Sequence, residues 1–530
     1  MARLRVNGIE VEVDNGATVL DAAERAGAEV PTLCYLKEIG SITSCMVCVV
    51  KDLASGQMLP ACSAKAAHGM EINTDGEEVR AARREILQML LSEHVGDCEA
   101  PCSRICPAGL NIPRMLRYIA ADNAEAAARL AKRDLIFPAT LGCICSAPCE
   151  KGCRRALYDS PIAIRRLHRE VGERLLTDGS VLDDRAPATG KTVAVVGAGI
   201  AGLSAAWMCL LKGHACCVYD KEEMACTSLR SVQEEQVSRN RSELILDLQE
   251  LIEAEVNSIR DLGAELVFSC EVGRDISFGS VQAEFDAVIL ACGAAASGAS
   301  FRGNSGSANV RLGNRTYTVQ GDDMPVRAVA QGKAVAHRVD SFLRGFPSDA
   351  TPRRFNSRIG SLRPEEIAPY ACERLQRAGP SRSQVRLGNE TKAADIEAGR
   401  CLHCDCLKPV SCRLRRYAEE YGIGPRVDRH MKRLPVEPIQ RCKGAPQRAQ
   451  SATDDVLFEP GKCIKCGICV AITQAAGKDL GLTFVGRGLT ASVRAPFGEP
   501  LARGLGETAL QCVRACPTGA LAFLSEEETE

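Results

Sequence analysis

Four cysteines near the start of the chain, Cys34, Cys45, Cys48 and Cys62, stand in the pattern C-x10-C-x2-C-x13-C. Unrelated buried cysteines do not crowd into one short stretch in this way. The spacing is that of a [2Fe–2S] cluster, in which four thiolates hold a one-electron carrier. It constrains the fold as well, because the cysteines from 34 to 48 must lie in an irregular loop whose backbone amides can turn toward sulfur. A hairpin over residues 3–13, turning at Asn7-Gly8, and a helix from Thr18 to Ala26 stopped by Gly27 precede it.

The full chain carries 28 cysteines in 530 residues. Disulfide-dense scaffolds are usually short and secreted. This chain is long, and MARLRVNGIEVEVD is charged with no apolar run. The expected setting is the reducing cytoplasm, with thiols bound to metal. A formal charge of −1 and the lack of a basic stripe exclude a nucleic-acid partner. Thr192 to Leu211 is uncharged and long enough for a bilayer, yet it contains Gly197, Gly199 and Gly202 at phosphate-loop spacing. A buried strand, turn and helix explain both features, so no membrane span is expected.

From Arg3 to about Leu91 the sequence resembles the N-terminal ferredoxin domain of the large iron–sulfur subunit of respiratory NADH dehydrogenase, a domain also found in iron-only hydrogenases and some formate dehydrogenases. His94 and Cys98, in His-x3-Cys spacing, extend that likeness. From Cys102 the pattern changes. APCSRICPAGLNIP, LGCICSAPCEKGC and SPIAIRRLHR resemble the glutamate synthase small subunit and its relatives, including dihydropyrimidine dehydrogenase and the NADH-dependent ferredoxin:NADP oxidoreductases. That resemblance implies two [4Fe–4S] clusters. One would take Cys98, Cys102 and Cys153, with His94 as the candidate to complete it. The other would take Cys106, Cys145 and Cys149, with either His168 or Cys143 as the last ligand.

Residues 192–220 give a strand, G-x-G-x-x-G at Gly197, Gly199 and Gly202, a helix, and a second strand ending at Asp220. That is the order of a dinucleotide-binding unit, with the acidic residue placed for a ribose hydroxyl. In the resembled family this site binds FAD. Gly293 in FDAVILACGA and Asp322 before VRAVAQGKAVAHRVDSFLRG match its later flavin motifs. Two features depart from the pattern. MACTSLRSVQ lacks the family's glycine pair, and about 27 residues between Ala294 and Gly321 are too few for its NAD(P)H domain.

Farther on, Cys401, Cys404, Cys406 and Cys412 form C-x2-C-x-C-x5-C, compact enough for an iron–sulfur cluster or a structural zinc, with His403 able to replace one thiolate. Cys372 and Cys442 are spare. CIKCGICVAITQ and CVRACPTGALAF are similar to the halves of a bacterial-type ferredoxin. In such proteins the fourth cysteine of each run serves the other cluster. Cys463, Cys466, Cys469 and Cys516 complete one set. A second set would need Thr473, Gly506 and Ala509 beside Cys512, so a single cluster is expected here.

The expected architecture is multidomain α/β and α+β. Residues 1–90 form a β-grasp [2Fe–2S] ferredoxin and 91–185 a helical double-cluster domain. Residues 186–345 form a truncated Rossmann-type FAD domain, 346–450 a linker with the compact cysteine set, and 451–530 a 4Fe–4S ferredoxin domain. The cofactors expected are one [2Fe–2S] cluster, three to four [4Fe–4S] clusters and FAD. No acid/base pair or nucleophile stands out, so no catalytic residue is assigned. The reading is an electron-transfer subunit of a soluble multi-subunit oxidoreductase. Its partners would be flavin/NAD(P)H, hydrogenase or dehydrogenase subunits, and ferredoxin. Single-electron clusters beside a two-electron flavin suit an electron-bifurcating complex. Two alternatives remain: a self-sufficient NAD(P)H oxidoreductase, and a docking scaffold with an empty flavin domain.

Overall fold

The computed structural model describes residues 1–177, 185–230, 247–292, 316–319, 324–346, 355–378, 390–424, 434–442, 455–477 and 480–524. The chain divides into two compact units. The first is Met1–Glu99, Arg353–Arg377 and Cys404–Glu530; the second is Ala100–Pro352 and Ala378–His403.

In the first unit, strands Ala2–Val6 and Ile9–Val13 pair antiparallel, with Val6 opposite Ile9. Asn7 and Gly8 turn the chain at φ 50° and 83°, the left-handed pair that a two-residue hairpin needs. Ala2–Val6 pairs in parallel with Glu71–Asn73 on its other side, and Val49–Asp52 and Met58–Pro60 extend the sheet to five strands. Helix Val19–Arg25, held by a Thr18–Asp21 capping box, lays Val19, Ala22 and Ala23 on Leu4, Val6 and Ile72.

Helix Glu77–Glu93 leads out of this sheet. Its Arg83 is buried because both ends of the guanidinium are used: Nε and Nη2 donate to Val49 O and Nη1 to Tyr421 Oη at 2.9 Å. The stretch around Tyr421, in the span 346–450 expected as a linker with the compact cysteine set, packs into a core. Tyr417 and Tyr421, at the end of helix Arg413–Glu420, share one apolar cluster with Leu87, Leu91, Phe355, Ile472 and Leu505. The C-terminal part adds a three-stranded antiparallel sheet of Gln440–Cys442, Val456–Phe458 and Leu521–Phe523, with helices Ile468–Ala475 and Ala509–Ala515.

The second unit holds helices Ile112–Ala120, Ala124–Leu135, Pro138–Ile144 and Ile164–Thr177, and a five-stranded parallel sheet. The sheet runs Ala264–Val267, Ala215–Tyr219, Thr192–Val196, Ala287–Leu290, Thr316–Thr318. Strand Thr192–Val196 and helix Ile200–Leu211 account for the uncharged stretch. Among the described residues no helix is long and apolar enough to cross a membrane. Helix Pro325–Leu343 lies on Ile200–Leu211 at Gly332, where a Cβ would collide with Ala201 O.

Candidate metal centres

The N-terminal cysteines close on one another in two pairs. Cys48 Sγ and Cys62 Sγ are 3.3 Å apart, and Cys34 hydrogen-bonds with Cys45. Backbone amides of Ser44 and Cys45 donate to Cys34 Sγ at 3.3 and 3.4 Å, and Ser41 Oγ donates to Cys62 Sγ at 2.9 Å. One thiol of each pair is held ready to ionise. The Cys45 thiol, with the two amides, brings Cys34 down to about 5, and Cys48 with the Ser41 hydroxyl brings Cys62 down to about 6. Their partners Cys45 and Cys48 give the hydrogen bond and are buried, which pushes them up. Two thiol pairs, with donors aimed at sulfur, fit two irons that each take two thiolates.

Cys463, Cys466, Cys469 and Cys516 form a second set. Each of the first three is raised chiefly by burial, with the charge of Cys516 adding to it, Cys463 to about 12. Lys465 N donates to Cys463 Sγ at 3.4 Å, and Lys465 and Gly467 take φ 54° and 83° to wrap the loop around the sulfurs. The positions of the second ferredoxin set are packed instead. Thr473 is fully buried, its hydroxyl bonded to Val470 O and Leu482 N, while Ala509 and Cys512 sit in the apolar core with Leu505. Ser44 Oγ donates to Cys466 O at 2.9 Å, and Ile42 packs on Gly467, so the N-terminal cysteine loop lies directly on this run.

The third set in this unit differs from the sequence grouping. Cys98 was expected with Cys102 and Cys153, yet within its unit its neighbours are Cys406 and Cys412. Cys406 N donates to Cys98 O at 3.1 Å. Burial, then the charge of Cys406, raises both Cys98, to about 11, and Cys412, to about 12. Ser357 joins His94 to this set. Its N–H donates to Cys98 Sγ at 3.4 Å and its Oγ lies 3.3 Å from His94 Nδ1. Burial pulls His94 down to about 4 and keeps it neutral, the form that offers a lone pair. Cys404 is in the same unit and half-buried.

In the second unit one cavity is lined by Cys106, Cys145, Cys149 and His168, closed by Leu110, Leu135 and other apolar side chains. Buried His168 lies with Nδ1 2.9 Å from Pro138 O. A proton placed there leaves Nε2 unprotonated, with its lone pair free for a metal. Burial lowers it to about 4. Cys143 is raised to about 11 by burial, and its charged surroundings are Arg169, Glu173, Glu255 and Arg165 rather than the cavity thiols. The helix Pro101–Ile105 that bears Cys102 packs on Pro148–Lys151, and Cys153 follows directly. Arg155 Nη1 donates to Arg400 O at 2.9 Å, tying the residue before Cys401 to a side chain two residues after Cys153. Arg400, fully buried, binds Glu397, Asp159 and Ser160 in turn, and His403 N donates to Cys401 Sγ.

The glycine loop is built as its motif requires. Gly197 has φ 112°, and a Cβ on Gly202 would collide with Gly197 O. Gly199 faces open space, as a position near a pyrophosphate should. Asp220 accepts from the amides of Ala198 and Glu222. Gly293 and Asp322 lie outside the described residues. Lys333, on helix Pro325–Leu343, donates to Ala108 O and Asp134 O at 2.8 and 2.7 Å, beside the cavity that Val326 of the same helix lines. Sequence reasoning passed over Lys333. It also passed over Lys462 and Glu459, although both flank the C-terminal cysteine run.

Among the described residues no group of His, Cys, Asp and Glu is arranged to hold a single metal ion. Cluster irons spread their thiolates more widely than one ion does, and the thiol sets fit that donor chemistry.

Comparison with known proteins follows the same division. A 2Fe-2S iron–sulfur cluster binding domain matches residues 1–77, a dihydropyrimidine dehydrogenase domain II with a 4Fe-4S cluster matches 78–179, and an NAD(P)-binding Rossmann-like domain matches 195–245. The chain is 28% identical over 197 residues to the NADPH-Fe(3+) oxidoreductase subunit beta of Geobacter sulfurreducens, covering 37% of this chain and 28% of that protein. It is 33% identical over 204 residues to the glutamate synthase [NADPH] small chain of Mycobacterium tuberculosis, covering 38% and 40%. It is 39% identical over 98 residues to a subunit of the NADH-quinone oxidoreductase of Rhizobium meliloti, covering 18% and 12%. The chain thus spans less than half the length of these relatives. Its N-terminal part is similar to a respiratory NADH dehydrogenase subunit, and the part that follows is similar to the glutamate synthase small subunit and dihydropyrimidine dehydrogenase.

Proposed function

We propose that this chain is a cytoplasmic iron–sulfur electron-transfer subunit of a multi-subunit oxidoreductase, carrying one [2Fe–2S] and four [4Fe–4S] clusters and FAD. Bound iron–sulfur clusters supply one-electron transfer, and FAD accepts or gives a pair. The part played by the chain itself is placement. Ser44 lays the Cys34–Cys62 loop on Cys466. Cys516, of the C-terminal set, is in turn close enough to act on Cys412. Three thiolate sites therefore succeed one another within a single unit, and that succession carries the reading.

Placement supports three proposed ligand assignments. His94, Cys98, Cys406 and Cys412 form one [4Fe–4S] site, with the neutral imidazole as its fourth donor. Cys106, Cys145, Cys149 and His168 form another, with Cys143 left out. Cys401 takes the place beside Cys102 and Cys153 that Cys98 leaves. In finer fold terms the N-terminal sheet is a β-grasp ferredoxin, the C-terminal sheet a bacterial-type ferredoxin reduced to one cluster, and the parallel sheet an FAD domain. The reading implies redox partner subunits that supply or take electrons.

The test is anaerobic purification with iron, sulfide and flavin counts and electron paramagnetic resonance of the dithionite-reduced protein. About 18 irons per chain, one [2Fe–2S] signal and stoichiometric FAD support the proposal. About two to four irons would overturn it, and absence of flavin would leave the FAD domain a scaffold.

A further inference from the structure

Lys462 precedes Cys463, the first ligand of the C-terminal set, but its side chain leaves that set. It is fully buried on the turn Pro460–Lys462, and its stem runs toward His94 and Cys406. Two glycines clear the way. A methyl at Gly96 would stand 2.6 Å from Lys462 Cγ and 3.1 Å from His94 Cε1. One at Gly519 would collide with Cys406 Sγ and reach Lys462 Cδ at 3.9 Å. The ammonium donates to Glu459 Oε1 at 2.6 Å, and the other oxygen of Glu459 accepts from Arg374 Nη2 at 2.8 Å. Glu459 is thus shared by two cations in the interior of the unit.

The lysine stem therefore lies against His94 and Cys406, while its ammonium is fixed by Glu459 in the interior of the unit. Reduction adds an electron to a site that already bears the charge of its thiolates, and in a buried setting a fixed cation favours the reduced form.

We propose that Lys462 raises the reduction potential of the His94–Cys98–Cys406–Cys412 site, independently of the Cys463–Cys466–Cys469–Cys516 site next to it in sequence. This rests on the reading of the first set as an iron–sulfur site. The electron enters without a proton, so the effect is a property of fixed charge.

The experiment is a dithionite titration of the full chain, each cluster followed by its paramagnetic signal, with iron counted in every variant. Lys462→Met should lower the potential of the His94 site by about 59 mV, a tenfold shift in one-electron equilibrium. Lys462→Arg should leave it near wild type. Glu459→Gln, which removes the countercharge, should move it the opposite way. The signals of the [2Fe–2S] and C-terminal sites should hold still throughout. Unchanged potentials in Lys462→Met with full iron, or equal shifts at every site, would overturn the inference. Retention of full iron in Cys98→Ser would instead defeat the site itself, whatever Lys462 does.

Discussion

The amide of Cys406 donates to the carbonyl of Cys98 at 3.1 Å, although more than half the chain lies between them in sequence. The backbone leaves the first unit after Glu99, re-enters it for Arg353–Arg377, and returns again at Cys404, building the second unit in between. His94 and Cys98 thus lie in the same unit as residues that the sequence presents as a separate motif.

Cys98→Ser and Cys406→Ser should therefore remove the same cluster. Each variant, and the double variant, should lose about four irons per chain, the content of one [4Fe–4S] cluster. Iron analysis showing additive losses of about eight in the double variant would show that the two cysteines serve different sites.

His168→Cys should keep the cavity cluster and lower its potential, because an anionic thiolate replaces a neutral imidazole. His168→Ala should lose that cluster or leave it labile to air. Cys143→Ala should retain it, since the charged groups around Cys143 are Arg169 and Glu173 rather than the cavity thiols. Paramagnetic resonance with iron counts distinguishes the three.

The glycine loop offers a matched pair. Gly202→Ala places a methyl against Gly197 O and should cost about 1–3 kcal/mol of stability by overpacking. Gly199→Ala meets nothing within 4 Å and should leave the melting temperature unchanged. If a dinucleotide lies there, that methyl should still release the flavin, seen by extraction and absorbance.

Arg155 and then Arg400 hold the Asp159 carboxyl down at about 2. The folded value is below the unfolded one, so the stabilisation is complete above about pH 4 and is lost as pH falls toward 2. Asp159→Asn should be less stable than wild type near neutral pH, and the gap should close in acid. Thermal unfolding followed by circular dichroism between about pH 5 and 2 reads this directly.

Cys512→Ala should keep all iron, because Cys512 is core, its thiol directed to Cys469 O and Thr508 Oγ1 at 3.9 and 3.8 Å. The cost of the small void is about 1 kcal/mol.

Local motifs were legible wherever ligand and turn spacing are short. The Asn7-Gly8 hairpin, the Thr18 cap and the close approach of the four N-terminal thiols all lie where their spacing puts them. So does the strand, glycine turn and helix from Thr192 to Leu211. The core role of Tyr417 and Tyr421 was not legible, because they look like isolated aromatics until Arg83 and Leu87 are folded against them.

By itself, then, the sequence determined the kinds of centre this chain carries, since a thiolate cluster in a loop needs only a few residues at fixed offsets. Which distant cysteines come to lie near one another was decided by the tertiary structure. Cys98 lies four residues from Cys102 yet stands with Cys406, and Arg155 brings Cys401 back toward Cys153. The physical reason is range. Backbone geometry fixes neighbours over a turn or two, whereas burial of Leu87, Tyr417 and Arg400 in their cores fixes which distant segments meet. The placement of Lys462 beside His94 and Cys406 belongs to the same class, because two glycines from opposite ends of the chain had to meet to make room for it.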